Sequence, residues 1–313
     1  RPATGSAAMT SEFIQLSLVP MLVAALAGSI CALPGNFLLL RHQSLMGDTV
    51  SHVVLLGVVA AFVLTGDLST GPMLIGAALV SVAATLLVEA IRRFGRIEPG
   101  AAMGVVFTTF FALGVVVLER SNSGSVHLDV EHVLYGNLEN LIWLDAQNWG
   151  SLLDAQALLG LPPALPRLIL LLALVAAFIG LFWRPLVIGT FDPAFAASIG
   201  AHPNRTGTAL LVLVALAAVA SFEAVGAIIV IAMFICPPAA ARLMTDNLAR
   251  QIGWSLIFAL AASLSGYALA VWGPTMLLGA EDSVSASGMI AVTGGTILAA
   301  ACLWGPRRQA LRR

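Results

Sequence analysis

Asp48 and His52 are the two residues whose types and spacing are best suited to chemistry. They stand four positions apart, so on a helix both side chains project from one face, about one turn apart. A carboxylate oxygen and an imidazole nitrogen placed in this way can bind one zinc, manganese or iron(II) ion. Two ligands alone bind a metal weakly, which suits a conduit from which the ion must leave again. The alternative is structural, with Asp48 as a helix N-cap and His52 as a buried, hydrogen-bonded histidine.

The apolar stretch 53–64 follows this pair directly, which places the pair at the start of a segment suited to a membrane. The whole chain supports that interpretation, because 59% of its 313 residues are hydrophobic and only 10% are charged. The mean hydropathy is +0.97. Burying charge in hydrocarbon is costly, so an ionisable pair in such a segment indicates a functional site. The composition predicts an all-α polytopic membrane protein.

Nine apolar segments can be drawn along the chain as candidate spans. They cover residues 14–39, 49–65, 72–91, 101–118, 168–183, 207–222, 225–241, 254–272 and 286–304. The sixth and seventh are short and nearly continuous, and Gly226 with the pair Pro237 and Pro238 indicates a broken or kinked arrangement there. We therefore expect eight or nine transmembrane helices within one domain over residues 10–306. Residues 1–9 are expected to be a remnant of cloning.

The basic residues, all of them arginines, predict the orientation of the chain. Cytoplasmic loops carry an excess of positive charge. With nine spans, most arginines fall on one side, which would then be the cytoplasm: Arg41, Arg92, Arg93, Arg96, Arg184, Arg205, Arg242, Arg250, Arg307, Arg308, Arg312 and Arg313. The N-terminus is thus expected outside. The C-terminus, with a basic tail over 307–313, is expected in the cytoplasm.

Several function classes are disfavoured by what the sequence lacks. It has no lysine and hence no Gly-x-x-x-x-Gly-Lys-Ser/Thr loop for ATP, so another chain would have to hydrolyse any ATP that drives its function. An enzymatic role is not expected. The net charge of −1 gives no signal for nucleic-acid binding. Cys31, Cys236 and Cys302 lie far apart, without the spacing of a metal site or of a disulfide framework.

The inner connection, over residues 184–206, is predicted to contain a short helix. Asp192 is suited to the N-cap and Pro193 to the first helical position, while Gly200 can end the helix. The residues between them are small or apolar, including Phe195, Ala196 and Ala197. A helix of this kind, poor in charge, presents a surface that another protein would cover.

Four stretches of the chain resemble the membrane subunits, or permeases, of bacterial zinc, manganese and iron importers of the ABC type. The matching residues are 38–41, 44–48 and 51–52 for the first, 126–131 and 133–136 for the second, 192–200 for the third, and 221–227 with 237–243 for the fourth. They occur in the order expected for that family. Together they are far more specific than any one of them alone.

This resemblance implies a fold like that of the cobalamin importers and a transport subunit that works as a dimer of permeases, either identical or paired. It further implies a separate ABC ATPase subunit, an extracytoplasmic metal-binding protein and a location in the bacterial inner membrane. The helix over 192–200 would be the coupling helix, which docks into the ATPase. The cargo would be a divalent ion, with no permanently bound cofactor.

Two groups of residues are candidates for handling the metal, and the resemblance strengthens the case for Asp48 and His52. Asp48 and His52, with Glu223 adding a carboxylate from another helix, would line the pathway. The outer connection, over residues 119–167, holds the densest cluster of ligand-type side chains: His127, Asp129, Glu131 and His132. This cluster could take the ion from the binding protein, dock that protein electrostatically, or be a solvated acidic loop. Glu223 could equally be an interfacial residue at a helix end.

Two other functions stay open at this point. One is a permease of the same fold for a metal chelate such as a siderophore, which would need no Asp-x-x-x-His pair. The other is a secondary carrier, which should show inverted repeats and more acidic residues within the membrane. The depth of Asp48 is also open: either the segment from Pro34 is re-entrant, or the pair guards the inner half of the pathway.

Overall fold

The computed structural model of the chain describes residues 13–66, 69–120, 138, 141–145, 150–151, 154, 157, 160–278 and 284–306. Regular structure within these residues is helical throughout. In chain order the helices are α1 (Val19–Leu40), α2 (Met46–Thr65), α3 (Thr70–Gly95), α4 (Pro99–Arg120), α5 (Ala164–Leu181), α6 (Trp183–Phe191), α7 (Pro193–Ser198), α8 (Pro203–Val225), α9 (Ala227–Met244), α10 (Leu248–Leu278) and α11 (Ala286–Trp304). A π-helical turn over Ile14–Leu18 leads directly into α1.

Nine helices among the described residues are long and apolar enough to cross a bilayer, the higher of the two predicted counts. The prediction of an all-α polytopic membrane protein is confirmed. α8 and α9 are separate spans because Gly226 between them has φ +82° and ψ +165°, a conformation that a helix cannot contain. α6 is a helix that the sequence did not reveal, since it occupies part of the connection drawn over 184–206.

Pro237 and Pro238 do not interrupt α9, although the sequence suggested a break or kink near them. Pro238 has no N–H to donate to the carbonyl of Phe234, so that oxygen needs another environment. The backbone of α1 provides it, because a Cβ added to Gly35 would lie only 2.6 Å from this oxygen. Close packing by a neighbouring span is what allows a transmembrane helix to continue through proline.

α1 lies at the centre of the bundle. It packs against α5, α6, α8, α9 and α10, and 72% of the most apolar window of the span Ile14–Leu40 is buried. α2, α3 and α4 form a group on one side, while α9, α10 and α11 form another. α8 connects the two, since it contacts α2 and α3 as well as α1 and α9. The most buried spans are therefore those that hold the two groups together.

Glycines allow the closest helix crossing of the first group. A Cβ on Gly57 of α2 would lie 2.5 Å from the carbonyl oxygen of Gly76 in α3, and a Cβ on Gly76 would meet the oxygen of Gly57 at the same distance. In a bilayer the hydrophobic effect does not drive helices together, so association depends on close van der Waals packing. The two glycines permit that packing near the middle of α2, nine residues beyond Asp48.

Candidate functional site

The turn between α1 and α2 determines where Asp48 stands. α1 ends in a Schellman motif: His42 N–H donates to the Leu39 carbonyl at 3.2 Å, and Gln43 N–H donates to the Leu38 carbonyl at 2.8 Å. His42 takes φ +56° to do so. After residues 41–45, α2 begins at Met46, and Asp48 lies in its first turn. α1 itself continues through Pro34, so this part of the chain is a full span and not a re-entrant segment.

Asp48 and His52 face each other along α2. Asp48 Oδ1 and His52 Nε2 are 3.6 Å apart, which is too long for a good hydrogen bond. Two ligand atoms bound about 2.1 Å from a tetrahedral metal ion stand about 3.4 Å from each other. The observed separation is therefore close to that of two ligands sharing one ion. Asp48 is not the helix N-cap, which is Leu45, so its carboxylate is not used in capping.

The surroundings of the pair are aromatic on one side and uncovered on another. The His52 ring lies 5.1 Å from the ring of Phe107 and 5.6 Å from that of Phe111, both on α4. The side chains of Asp48 and His52 are each 37% exposed. Ionisable groups exposed at a membrane helix are costly. This face of α2 is therefore one that another protein chain or water should cover.

Glu223 lies elsewhere. It sits near the C-terminal end of α8 and forms an ion pair with Arg167 in the first turns of α5. The α1–α2 turn and the start of α8 line one cavity, so Asp48 in the first turn of α2 lies at that end of the bundle. Glu223 lies near the other end of α8, so the two carboxylates belong to opposite ends of the bundle. No group of three or more His, Cys, Asp or Glu side chains in the described part of the chain is arranged to hold a metal ion. A pathway role for Glu223 stays a prediction.

The outer cluster cannot be compared with the structure in the same way. His127, Asp129, Glu131 and His132 lie outside the described residues. The nearby Trp143 is described and buried: its backbone N–H donates to the Gln15 carbonyl at 2.9 Å, and its indole N–H donates to the Ala157 carbonyl at 2.8 Å. This part of the connection over residues 119–167 is thus hydrogen-bonded to the π-helical turn that leads into α1.

α7 is a short helix with well-defined ends. The Asp192 carboxylate accepts a hydrogen bond from the Phe195 N–H at 2.9 Å, and Pro193 occupies the first helical position. Gly200 adopts φ +79° and ends the helix, with its N–H donating to the Ala197 carbonyl. Ala196 is buried while Ala197 is exposed. The role of this helix in coupling to an ATPase stays a prediction.

An exposed apolar surface surrounds α7. Phe191 is 56% exposed, and Phe195 and Ile199 are each 53% exposed. Phe195 lies on α7, while Phe191 ends α6 and Ile199 follows α7, so the three side chains form an exposed apolar group at this corner of the bundle. Grouped apolar side chains of this size are typical of interaction surfaces.

Arg41 is a functional candidate that sequence reasoning did not single out. Its Nε donates to Thr190 Oγ1 of α6 at 3.0 Å, which joins the α1–α2 turn to the elbow between α6 and α7. The two residues are 149 positions apart, so no local pattern could have paired them. The available signal was the position of Arg41 inside the motif over 38–48.

Comparison with known proteins places these features in a family. The chain matches the ABC 3 transport family over residues 12–147 and 164–302. The manganese transport system membrane protein MntD of Bacillus subtilis is 36% identical over 90% of this chain and 89% of its own length. The zinc transport system membrane protein TroD of Treponema pallidum is 35% identical over 95% of this chain and 76% of its own length.

The fold is also found in solved structures. The structure of PsaBC from Streptococcus pneumoniae in complex with a Fab contains a similar chain. The TM-score is 0.73 and the identity 25%, and the match covers 99% of this chain and 99% of that one. The family match covers most of the sequence and both curated relatives exceed 30% identity, so the resemblance found in the motifs is confirmed. The chain belongs to the ABC 3 transport family of membrane permeases.

Proposed function

We propose that this protein is the membrane subunit of an ATP-driven importer that carries a divalent transition-metal ion, manganese, zinc or iron, into the bacterial cytoplasm. The observation that carries the proposal is the Asp48–His52 pair at the start of α2, with its 3.6 Å separation between ligand atoms. Relatives named for manganese and for zinc transport support this class of cargo. The ion is substrate here, bound briefly and released.

A second permease subunit would complete the metal site. Asp48 and His52 supply two ligands, whereas zinc in proteins usually has four and manganese or iron more. Both side chains are partly exposed on the same face of α2, so a facing subunit could bring further ligands to the ion. Covering that face would also remove two ionisable groups from contact with lipid.

ATP would act through the surface around α7. An ABC ATPase subunit docked on Phe191, Phe195 and Ile199 would bury apolar area and would contact the elbow that Arg41 joins to the α1–α2 turn. The arginine-rich side, which is predicted to be cytoplasmic, would bind the ATPase. A metal-loaded binding protein would dock on the opposite side, where the cluster of His127, Asp129, Glu131 and His132 is predicted to lie. Closure of the ATPases would then drive alternating access.

The test measures uptake of radiolabelled manganese, zinc and iron by two forms of the assembled transporter. One is the wild type, and the other carries both Asp48→Asn and His52→Ala. We expect uptake to fall to background while the ATPase still co-purifies. Ser51→Ala is the matched control, because Ser51 lies in the same turn but its hydroxyl donates to the Asp48 backbone carbonyl at 2.6 Å. Normal uptake by the double variant would refute the site, and the three isotopes would identify the metal.

A further inference from the structure

A cavity of about 340 Å³ lies where four segments of the chain meet on the α7 side of the bundle. The end of α1, the last turns of α3, the α6–α7 elbow and the start of α8 form its walls. Its polar lining includes Arg41, Glu89, Arg92, Thr190 and Asn204. The volume is at the lower end of the range for small-molecule sites, which begins near 300 Å³. It is far larger than one water molecule needs.

The charges around this cavity do not balance. Glu89 is almost fully buried, and its carboxylate accepts hydrogen bonds from Arg92 at 2.7 and 2.9 Å and from Arg93 at 2.6 Å. One carboxylate therefore serves two guanidinium groups. Arg93 also donates hydrogen bonds to the Asn204 carbonyl and to Thr208 Oγ1. Arg41 is a third cation, and its hydrogen-bond partner Thr190 is neutral.

Arg41 has unused donor capacity inside the cavity. Its Nη2 is buried and has no hydrogen-bond partner among the described residues. A buried donor left without an acceptor destabilises the folded state, because it has lost its hydrogen bonds to water. Burial, followed by the charge of Arg92, lowers the pKa of this guanidinium, which lies just beyond the end of α1, while Glu89 acts in the opposite direction. The site thus needs an acceptor, and an anionic one fits best.

The neighbouring backbone leaves room for the guanidinium. A Cβ on Gly207 of α8 would lie 2.6 Å from Arg41 Nη1, so only glycine at this position lets the group lie where it does. α8 begins at Pro203, and its first turn also lines the cavity, so the positive end of the helix dipole adds to the field of the arginines. Guanidinium groups and helix N-termini both bind the oxygens of phosphate groups well.

We propose that this cavity binds a phosphate group, presented either by the headgroup of an anionic phospholipid or by a soluble phosphate ion. The cavity lies where α1 and α3 end, and basic pockets between transmembrane helices near the membrane surface are suited to lipid headgroups. A bound phosphate would give Arg41 its missing acceptor and would connect the end of α1 to the start of α8. The proposal does not depend on the metal assignment.

The experiment measures lipid retained by the purified full-length chain in native mass spectrometry, and binding of radiolabelled inorganic phosphate in phosphatidylcholine nanodiscs. Arg41→Gln removes the unpaired cation, and Gly207→Ala displaces it without changing charge. We expect Arg41→Gln to reduce bound phosphate about tenfold, as for loss of one charge-assisted hydrogen bond. Gly207→Ala should reduce it less, because the guanidinium is the end of a flexible side chain and can shift away from the added Cβ. Arg205→Gln is the matched control, because Arg205 is exposed in the first turn of α8 and does not line the cavity.

The two arms separate the sources of the phosphate. Retention of phosphatidylglycerol or cardiolipin that millimolar phosphate does not displace supports a lipid headgroup. Binding of inorganic phosphate in neutral nanodiscs supports a soluble ion. Equal binding by the wild-type chain, Arg41→Gln and Gly207→Ala in both arms would overturn the proposal. Loss of ATPase association in Arg41→Gln with phosphate binding unchanged would also overturn it, since the cation would then pair with a carboxylate of the ATPase.

Discussion

Replacing Gly57 with alanine is expected to force α2 and α3 apart. The added Cβ would lie 2.5 Å from the Gly76 carbonyl oxygen and 2.7 Å from the Ala77 Cα. Carbon atoms in favourable contact stay about 3.5 Å apart or more, so the two backbones would have to separate by about 1 Å. Both obstructing atoms belong to the backbone of a packed helix and cannot rotate away as the end of a side chain could.

The expected cost follows from two opposing effects. Overpacking of a close contact destabilises a protein by about 1–3 kcal/mol, and two backbone obstructions place Gly57→Ala near the upper limit. Alanine is the better helix former and returns about 1 kcal/mol. The net loss in the free energy of unfolding is therefore expected to be about 2 kcal/mol.

The assay is unfolding of the purified chain by sodium dodecyl sulfate, followed by tryptophan fluorescence. Gly104→Ala is the matched control, because it makes the same chemical change in a transmembrane helix, α4, and its Cβ would have no atom within 4 Å. Gly104→Ala should be as stable as the wild type or slightly more stable. If Gly57→Ala behaved like Gly104→Ala, the close approach of α2 and α3 would be refuted.

Two further outcomes are expected. Asp192→Ala removes the hydrogen bond to the Phe195 N–H and should weaken α7 by about 0.5–2 kcal/mol, lowering co-purification of the ATPase, whereas Asp192→Asn should retain it. Glu223→Gln leaves Arg167 without its partner and should lower stability in detergent, and adding Arg167→Gln should restore it. If the stable double variant still imports metal, Glu223 is structural; if it does not, Glu223 belongs to the pathway.

Features determined by local composition could be predicted from the sequence. The spans follow from the length of apolar segments, and the ends of α7 follow from Asp192, Pro193 and Gly200, each of which acts within one turn of the chain. The pairing of Asp48 with His52 likewise depends only on helical spacing. In the last two cases the interacting groups are at most four residues apart.

Features that depend on distant contacts could not be predicted. α9 continues through Pro237 and Pro238 because α1 packs on it, and that contact has no signature in the local sequence. Arg41 binds Thr190 across 149 positions, and Glu223 meets Arg167 across 56. The left-handed conformation of His42 is also unexpected, because glycine usually occupies this position and a histidine there carries strain.

The Schellman turn at the end of α1 has a consequence for how the transporter moves. It joins α2, which carries Asp48 and His52, through five residues to α1, the most buried of the nine described spans. By contrast, only 22% of the corresponding windows of α4 and α5 is buried. Under the proposed alternating access, Asp48 and His52 are therefore expected to behave as a stationary frame. Access would change sides because the peripheral helices tilt around the ion, and not because the ion is carried across on a moving helix.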